Sequence, residues 1–273
     1  MRTACVIGWP AKHSRSPKLH GYWIRRYGLD AAYGIEEVAP EGFADFVGSL
    51  AARGYVGANV TMPHKEAALA LSQPDARALA VGAANTLWLE GGVLRSTNTD
   101  VEGFTGALDA ASPGWDGRVS SAVVLGAGGA GRAVVYGLLE RGVSRVHVVN
   151  RSLDKAEALR ARFGDAVVPV GWEGMGEVLR GARLLVNATS LGMKGQPGLE
   201  VDLSGLAGDA VVSDIVYVPL VTPLLAQARE RGLVVSNGLD MLLHQAVRGF
   251  ELWFGVRPEV TREMFEMVAA DIK

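Results

Sequence analysis

Three polar clusters and one glycine-rich turn hold the residue types and spacings in this sequence that can do chemistry. The clusters are His13-Ser14-Arg15-Ser16-Pro17, then Asn59-Val60-Thr61-Met62-Pro63-His64-Lys65, then Asn85-Thr86 with Asn98-Thr99-Asp100. Together they offer hydroxyls, carboxamides, a lysine and a carboxylate, an inventory suited to a small substrate bearing several hydroxyl groups. The turn is Gly126-Ala127-Gly128-Gly129-Ala130-Gly131-Arg132, which follows the apolar run Ala122-Val123-Val124-Leu125 and precedes a helical pattern. In the order strand, turn, helix, G-x-G-x-x-G is a dinucleotide-binding fingerprint. Gly126 permits the turn, Gly128 lets the backbone approach a pyrophosphate, and Gly131 allows the helix to pack closely on its strand. The backbone of Ala127, Gly129 and Ala130 completes the loop, and the helix start presents unpaired N–H groups to the phosphates. A glycine-rich turn without a ligand is the alternative.

The end of the next strand decides which dinucleotide fits. A site for NAD usually carries an acidic residue there, about 20 residues on, to bind the ribose 2′-OH. This chain has Asn150-Arg151-Ser152, with Lys155 four residues beyond Arg151. Asn150 is neutral, Arg151 is a planar cation suited to a 2′-phosphate, and Lys155 adds a second charge. The expected cofactor is therefore NADP(H), unless Arg151 and Lys155 are simply a solvated helix start. No metal is expected, because His13, His20, His64, His147 and His244 are scattered without ligand spacing. From the residues alone, the chain reads as an NADP-dependent enzyme acting on a polar alcohol or ketone.

These groups need elements to position them. Strand patterns at residues 3–7, 32–38 and 56–60 alternate with helical ones opened by Ser16-Pro17, spanning 42–52, and running from Pro63 to residue 71. Ser16 reads as an N-cap with Pro17 at the first helical position. Residues 86–89 and 93–96 flank Glu90-Gly91-Gly92 as a hairpin. Strands at 122–125, 146–149, 166–170, 184–186, 210–213 and 233–236, with helices at 130–141 and 153–163, predict a parallel sheet with right-handed crossovers. Leu239, Leu242, Leu243, Ala246, Phe250 and Trp253 form one apolar helical face, and Pro258 starts a last helix. The expected class is α/β with two domains. Residues 1–103 with 239–273 form a discontinuous substrate-binding and catalytic domain. Residues 104–238, including a linking helix to Ala111, form a doubly wound Rossmann domain for NADP. The cleft between them is the expected binding site.

Composition agrees with a globular chain. Of 273 residues, 49% are hydrophobic and 21% charged, which excludes a disordered segment. A net charge of −2 gives no electrostatic reason to expect nucleic acid. The single cysteine, Cys5, precludes an intrachain disulfide and favours a reducing, cytoplasmic location. No run reaches the roughly 18 apolar residues of a membrane span, so no membrane partner is expected. A monomer or homodimer is expected.

The same residues carry a family resemblance. The chain resembles the shikimate/quinate dehydrogenase family, and shikimate dehydrogenases in particular, through Gly8-Trp9-Pro10, Ser14-Arg15-Ser16-Pro17, Asn59-Val60-Thr61-x-Pro63-x-Lys65, Asn85-Thr86 and Asn98-Thr99-Asp100. It continues through the turn at 126–132, Asn150-Arg151-Ser152, Asn187-Ala188-Thr189-Ser190-x-Gly192-Met193, Asp214-Ile215-Val216-Tyr217, Thr222-Pro223-Leu224-Leu225 and Gly238-x-Asp240-Met241-Leu242-x-x-Gln245. The match covers nearly the whole chain. Ala84, Gly131, Val218 and Val221 depart from the family's common residues.

The resemblance implies reversible reduction of 3-dehydroshikimate to shikimate with NADPH, a step of aromatic amino acid (chorismate) biosynthesis. It implies Lys65 and Asp100 as the catalytic pair. Hydride delivery to a ketone builds an alkoxide, which needs a proton or positive charge beside it. Lys65 can supply both, and Asp100 can hold the lysine and a substrate hydroxyl. Read alone, Lys65 fits a surface helix lysine and Asp100 the N-cap of the linking helix. Ser14 and Ser16 are placed on the substrate carboxylate, and Thr61, Asn85, Tyr217 and Gln245 on the substrate. Thr189, Met193, Ile215, Gly238 and Met241 join the cofactor set. Two other readings stay open: a paralogue acting on quinate or an aminoshikimate, and a non-catalytic NADP-binding regulatory protein.

Overall fold

A computed structural model describes residues 1–272. In chain order the elements are β1 (Arg2–Gly8), α1 (Ser16–Arg26), β2 (Ala31–Glu37), α2 (Phe43–Gly48), β3 (Tyr55–Val60), α3 (Lys65–Ala70), β4 (Gln73–Pro74), α4 (Ala76–Val81), β5 (Thr86–Glu90) and β6 (Val93–Thr97). Next come α5 (Asp100–Ala111), β7 (Ser121–Leu125), α6 (Gly129–Glu140), β8 (Arg145–Asn150), α7 (Leu153–Phe163), β9 (Val167–Gly171) and α8 (Met175–Val178). The chain ends with β10 (Leu184–Asn187), β11 (Val211–Asp214), α9 (Pro223–Glu230), β12 (Val234–Asn237), α10 (Gly238–Phe254) and α11 (Arg262–Ala269). Two compact units result. The first comprises Met1–Thr99 with Gln245–Ala270, and the second is built on Asp100–His244.

The sheet of the first unit has the order β2-β1-β3-β5-β6-β4. Strands β2, β1 and β3 run parallel, whereas β5 is antiparallel to β3 and to β6. The hairpin expected from Glu90-Gly91-Gly92 closes at Gly91 and Gly92, both with positive φ (58° and 80°), a conformation glycine adopts without a Cβ penalty. Inverting the strand sense has a positional consequence. Asn59 at the end of β3 lies opposite Thr86 at the start of β5, and Thr86 lies opposite Thr97 at the end of β6. The loops bearing Thr61, Asn85 and Asn98-Thr99 therefore meet at one sheet edge, although they come from strands of opposite sense.

Side chains alternate across this sheet, as the period of two requires. Cys5, Ile7, Ala58, Val60 and Leu87 pack with Phe43, Phe46 and Val47 in one cluster. Cys5 is fully buried, and burial pushes its thiol well above the ordinary range. Trp253 of α10 donates Nε1–H to the Leu87 carbonyl at 2.8 Å, and a Cβ on Gly57 would overlap its indole. His20 lies in an aromatic nest, stacked on Tyr33 at 4.1 Å and flanked by Trp23, Phe250 and Trp253. Neither ring nitrogen has a partner in hydrogen-bond geometry. Burial pushes its pKa down to about 3.

The second unit has a six-stranded, wholly parallel sheet of order β12-β11-β10-β7-β8-β9, the doubly wound arrangement expected of a Rossmann domain. Its central strands are apolar throughout because both faces are covered. Ala122, Val124, Val146, Val148 and Val186 enter one cluster, while Val123, Leu125, Val149, Leu185 and Val212 enter the other.

Several boundaries differ from the sequence expectation. Arg15, not Ser16, is the N-cap of α1, and its side chain does not cap that end. The helix expected over 42–52 covers only Phe43–Gly48, after a 3₁₀ turn at Pro40–Gly42. Pro63 follows a cis Met62–Pro63 bond and precedes α3 instead of starting it. Asp100 is the first residue of α5. The last helix starts after Thr261, whose hydroxyl accepts from the Met264 N–H, rather than at Pro258. No helix among the described residues is long and apolar enough to cross a membrane.

The His20 nest makes the fold acid-sensitive. The unfolded chain takes up a proton near pH 6.5, the folded chain only near 3. Stability is therefore complete above pH 6.5 and falls as pH drops toward 3. In His20→Phe the ring nitrogens that lack partners are gone. Its stability, followed by urea unfolding between pH 7 and 4, should fall less steeply than that of the unsubstituted chain. Equal slopes would show that His20 is not the group responsible.

Candidate functional site

In the first unit the polar residues form one connected, buried set. Asn85 is 3% exposed and Thr99 is fully buried. The Asn85 Oδ1 accepts from the Thr99 N–H at 2.7 Å, and the Thr86 and Thr99 hydroxyls lie within 3.1 Å of it. Asn59 donates Nδ2–H toward the Asn85 carbonyl at 3.4 Å and Thr86 Oγ1 at 3.3 Å, while its Oδ1 accepts from the Tyr33 hydroxyl at 2.6 Å. Burial pushes the Tyr33 phenol well above its ordinary pKa, so it stays protonated and donates. Thr99 Oγ1 reaches Gln245 Oε1 at 3.4 Å, which joins α10 to the set. The structure thus brings together Asn85 and Gln245 of the expected substrate residues. Tyr33 was not among them, because nothing in the pattern of β2 distinguishes it from a core tyrosine.

Lys65 is positioned through its neighbours. His64 is 2% exposed, stacks on Phe43 at 4.3 Å, and donates Nε2–H to the Val38 carbonyl at 2.7 Å. The Lys65 carbonyl accepts from the Ala84 N–H at 2.9 Å, next to Asn85. Both ends of the peptide at Lys65 are therefore tied down. Thr61 donates its N–H to the Ile7 carbonyl at 2.9 Å, and a Cβ on Gly8 would collide with its methyl group. Ser14 and Ser16 are adjacent, with the Ser16 N–H directed at Ser14 Oγ at 3.3 Å. Asp100 directly follows Thr99. Asp100 and Tyr217 belong to the second unit, the other expected substrate residues to the first.

In the second unit a cavity of about 310 Å³ is lined by Gly126, Ala127, Gly128, Asn150, Arg151, Ser152, Lys155 and Thr189 of the expected cofactor set. Trp172, Ala188, Ser190 and Leu191 also line it, and sequence reading missed Trp172, which follows β9 in a 3₁₀ turn. Asn150 ties the wall together. Its Oδ1 accepts from the Ala127 N–H at 3.3 Å, and its Nδ2 donates to the Ser152 carbonyl at 2.8 Å. The glycines divide into two kinds. A Cβ on Gly126 would lie 2.8 Å from Thr189 Cγ2, and one on Gly131 would run into the Gly126 carbonyl. A Cβ on Gly128 would meet nothing within 4 Å. Space is thus left free in front of Gly128 at the N-terminus of α6, as a pyrophosphate requires. Arg151 and Lys155 are exposed cations on the same cavity. The residues fit a dinucleotide carrying a 2′-phosphate.

Gly129, Ala130 and Gly131 open α6. Ala127, Ile215 and Met241 are all partly buried against one apolar cluster of this unit. Gly238 packs so closely that a Cβ would enter the Ile215 carbonyl. Met193 is 38% exposed. Thr189 donates both its N–H and its hydroxyl to Asn187 Oδ1, at 3.1 and 2.7 Å. No cluster of His, Cys, Asp and Glu among the described residues could hold a metal ion.

Three family models match the chain. Residues 6–87 match the shikimate dehydrogenase substrate binding domain, residues 113–193 the shikimate / quinate 5-dehydrogenase family, and residues 238–262 the shikimate 5′-dehydrogenase C-terminal domain. The shikimate dehydrogenase (NADP(+)) of Rhodopseudomonas palustris strain TIE-1 is 65% identical over 99% of this chain and 97% of its own length. The shikimate 5-dehydrogenase of Thermus thermophilus, solved with NADP(H) and shikimate, is 35% identical with a TM-score of 0.86 over 100% of both chains. The quinate dehydrogenase of Corynebacterium glutamicum, solved with NAD, is 32% identical with a TM-score of 0.91 over 98% of this chain and 99% of its own.

Gly128 and Gly126 should separate on substitution. Gly128→Ala places its methyl group in open space, so the melting temperature should stay within about 2 °C while NADP⁺ affinity falls at least about tenfold. Gly126 has φ +101°. Gly126→Ala should lower both stability, by about 1–3 kcal/mol, and affinity. Thermal unfolding and NADP⁺ titration by protein fluorescence read both. Undiminished binding by Gly128→Ala would remove the turn from the phosphate site.

Proposed function

The chain belongs to the shikimate dehydrogenase family, and from that premise we propose that it is an NADP-dependent oxidoreductase interconverting 3-dehydroshikimate and shikimate. The observation that carries this reading is the pairing, in one chain, of two sites. One is a glycine turn open at Gly128 with Arg151 and Lys155 on its cavity. The other is a buried amide–hydroxyl set built on Asn85, Thr99 and Gln245. The first suits NADP(H); the second suits a polyhydroxylated ring. Residues 104–238 serve as the nucleotide domain, and residues 1–103 with 239–273 as the substrate domain. The setting is cytoplasmic chorismate biosynthesis.

When bound, NADPH supplies a hydride to the ketone carbon, and NADP⁺ takes one up in the reverse direction. The chain's own residues do the rest. Lys65 provides the proton and the positive charge at the oxygen that becomes the alcohol. Its peptide is held by the His64 and Ala84 contacts, so the ammonium projects from a fixed point. A pre-placed charge of this kind needs no reorganisation as the oxyanion develops. Asp100 accepts a hydrogen bond from a substrate hydroxyl. Asn85, Thr61, Gln245 and Tyr217 supply further polar contacts. Ser14 and Ser16 take the substrate carboxylate, Ser16 from the first position of α1. On the nucleotide side, Arg151 and Lys155 take the 2′-phosphate. Thr189, Met193, Ile215, Gly238 and Met241 complete that wall.

Initial rates of NADP⁺ and NAD⁺ reduction, with shikimate and with quinate, test the reading. Fast turnover is expected only with shikimate and NADP⁺. Comparable rates with quinate and NAD⁺ would assign the reaction to the quinate dehydrogenase side of the family, and no rate with any pair, from a folded chain that still binds NADPH, would show that shikimate is not the substrate. Arg151→Ala should weaken NADP⁺ binding at least about tenfold and NAD⁺ binding little, because only NADP⁺ has the 2′-phosphate. Equal weakening would take Arg151 out of that role. Lys65→Ala and Asp100→Ala should each lower kcat by about 10²–10⁴, the range of a lost acid–base group. NADP⁺ dissociation constants should not change; a matching loss of NADP⁺ binding would count against both assignments.

A further inference from the structure

Asp214 ends β11, is 1% exposed, and has no part in the chemistry described above. Three donors converge on its carboxylate. The Asn187 Nδ2–H at 2.9 Å and the Val216 N–H at 3.0 Å reach Oδ1, and the Thr222 hydroxyl reaches Oδ2 at 2.7 Å. Burial pushes its pKa up, and the three donors pull it back. A buried carboxylate is costly to desolvate, and an apolar side chain would fill a strand end at lower cost. The origin of the donors gives the carboxylate its use.

Asn187 is the last residue of β10 and organises the segment that follows it. Its Oδ1 accepts from Thr189, and its Nδ2 also reaches the Leu191 carbonyl at 3.1 Å. Val216 and Thr222 bracket a different segment, which carries Tyr217. Thr222 is the N-cap of α9, its Oγ1 accepting from the Leu225 N–H at 3.3 Å. The two segments meet again along the backbone, where the Lys194 N–H donates to the Val218 carbonyl at 2.8 Å, beside Met193 and Tyr217. Each segment is otherwise loop.

We propose that Asp214 is a positioning residue that fixes the nucleotide-side segment 187–193 and the segment 215–222, which carries Tyr217, in one mutual geometry. The proposal rests on the functional reading above for the roles of Thr189, Met193 and Tyr217. A carboxylate suits the task because it is acceptor-only and serves all three donors at once. Asparagine can imitate it. Its oxygen would accept from Asn187 and Val216, while the Thr222 hydroxyl turns to accept from the new amide. Alanine would remove the acceptor that all three share, leaving Asn187 Nδ2 only the Leu191 carbonyl.

The test uses the full chain with Asp214→Ala, Asp214→Asn and Thr222→Val, and reads NADP⁺ dissociation constants, shikimate KM and kcat. Asp214→Ala should raise both the NADP⁺ constant and the shikimate KM about tenfold or more, with kcat reduced less than about threefold. Asp214→Asn should return both to within about threefold of the unsubstituted chain. Thr222→Val cuts only the second segment, so it should raise the shikimate KM about fivefold and leave NADP⁺ binding within about twofold, a split that general destabilisation does not produce. Unchanged constants in a folded Asp214→Ala, or an Asp214→Asn as impaired as the alanine variant, overturn the proposal. If Asp214→Ala does not fold, Thr222→Val decides: the split supports the proposal and an unchanged KM overturns it. Should the unsubstituted chain turn over no shikimate, the functional reading fails; NADP⁺ binding by Asp214→Ala then decides the role of Asp214 alone.

Discussion

The Thr99 N–H and the Asn85 carboxamide share a 2.7 Å hydrogen bond across the two open ends of the β5–β6 hairpin, and the buried polar set of the first unit is arranged around it. Both groups lie out of water, where an unpaired N–H would cost more than the bond itself yields. The bond therefore fixes where β5 begins and where β6 gives way to α5. That in turn fixes Asp100, one residue on, and leaves Asn59, Thr86 and Gln245 little choice of partner. The β5–β6 inversion is what makes the arrangement possible. A purely parallel sheet collects its strand ends at one edge automatically. Here a strand start, Thr86, has been added to that edge, and a carboxamide with acceptor and donor faces serves both directions of approach.

The second unit solves a different problem, the coexistence of tight packing and open backbone within six residues. Gly126 and Gly131 are glycines because neighbouring atoms already occupy the place of a side chain. At Gly128 a side chain would meet nothing within 4 Å. The same letter in the sequence thus stands in two opposite surroundings. Asn150 reconciles them: it satisfies the turn at Ala127 and the strand exit at Ser152 with one side chain, and leaves Arg151 free to point outward.

Much of this was legible in the sequence where the signal is local. The run 122–125 and the glycine turn after it predict a buried strand and a phosphate loop, and the periodicity of 153–163 gives α7 with its bounds. Short elements escaped: β4 and α4 are too brief for any periodicity, and α9 hides behind its own cap, Thr222-Pro223. Helix starts were misplaced where a polar residue suggested a cap it does not form, as at Ser16, because capping depends on backbone angles that composition does not encode. The mixed sheet of the first unit was not legible, since the hairpin signal at Gly91-Gly92 says nothing about which strand it joins. Tyr33 and Trp172 were missed for the same reason: their roles exist only through partners distant in sequence.

Cys5 lies in the middle of β1, between β2 and β3, with no exposed surface and a thiol that resists ionisation. Thiolate-directed reagents act on the ionised form, so this group is chemically silent while the chain is folded. The chain is in effect a cysteine-free background as supplied. A single cysteine introduced at an exposed position, such as one in α7 or α11, would take a fluorophore or spin label without competition. The native thiol would become reactive only on unfolding, which makes it an internal reporter of the integrity of the first unit.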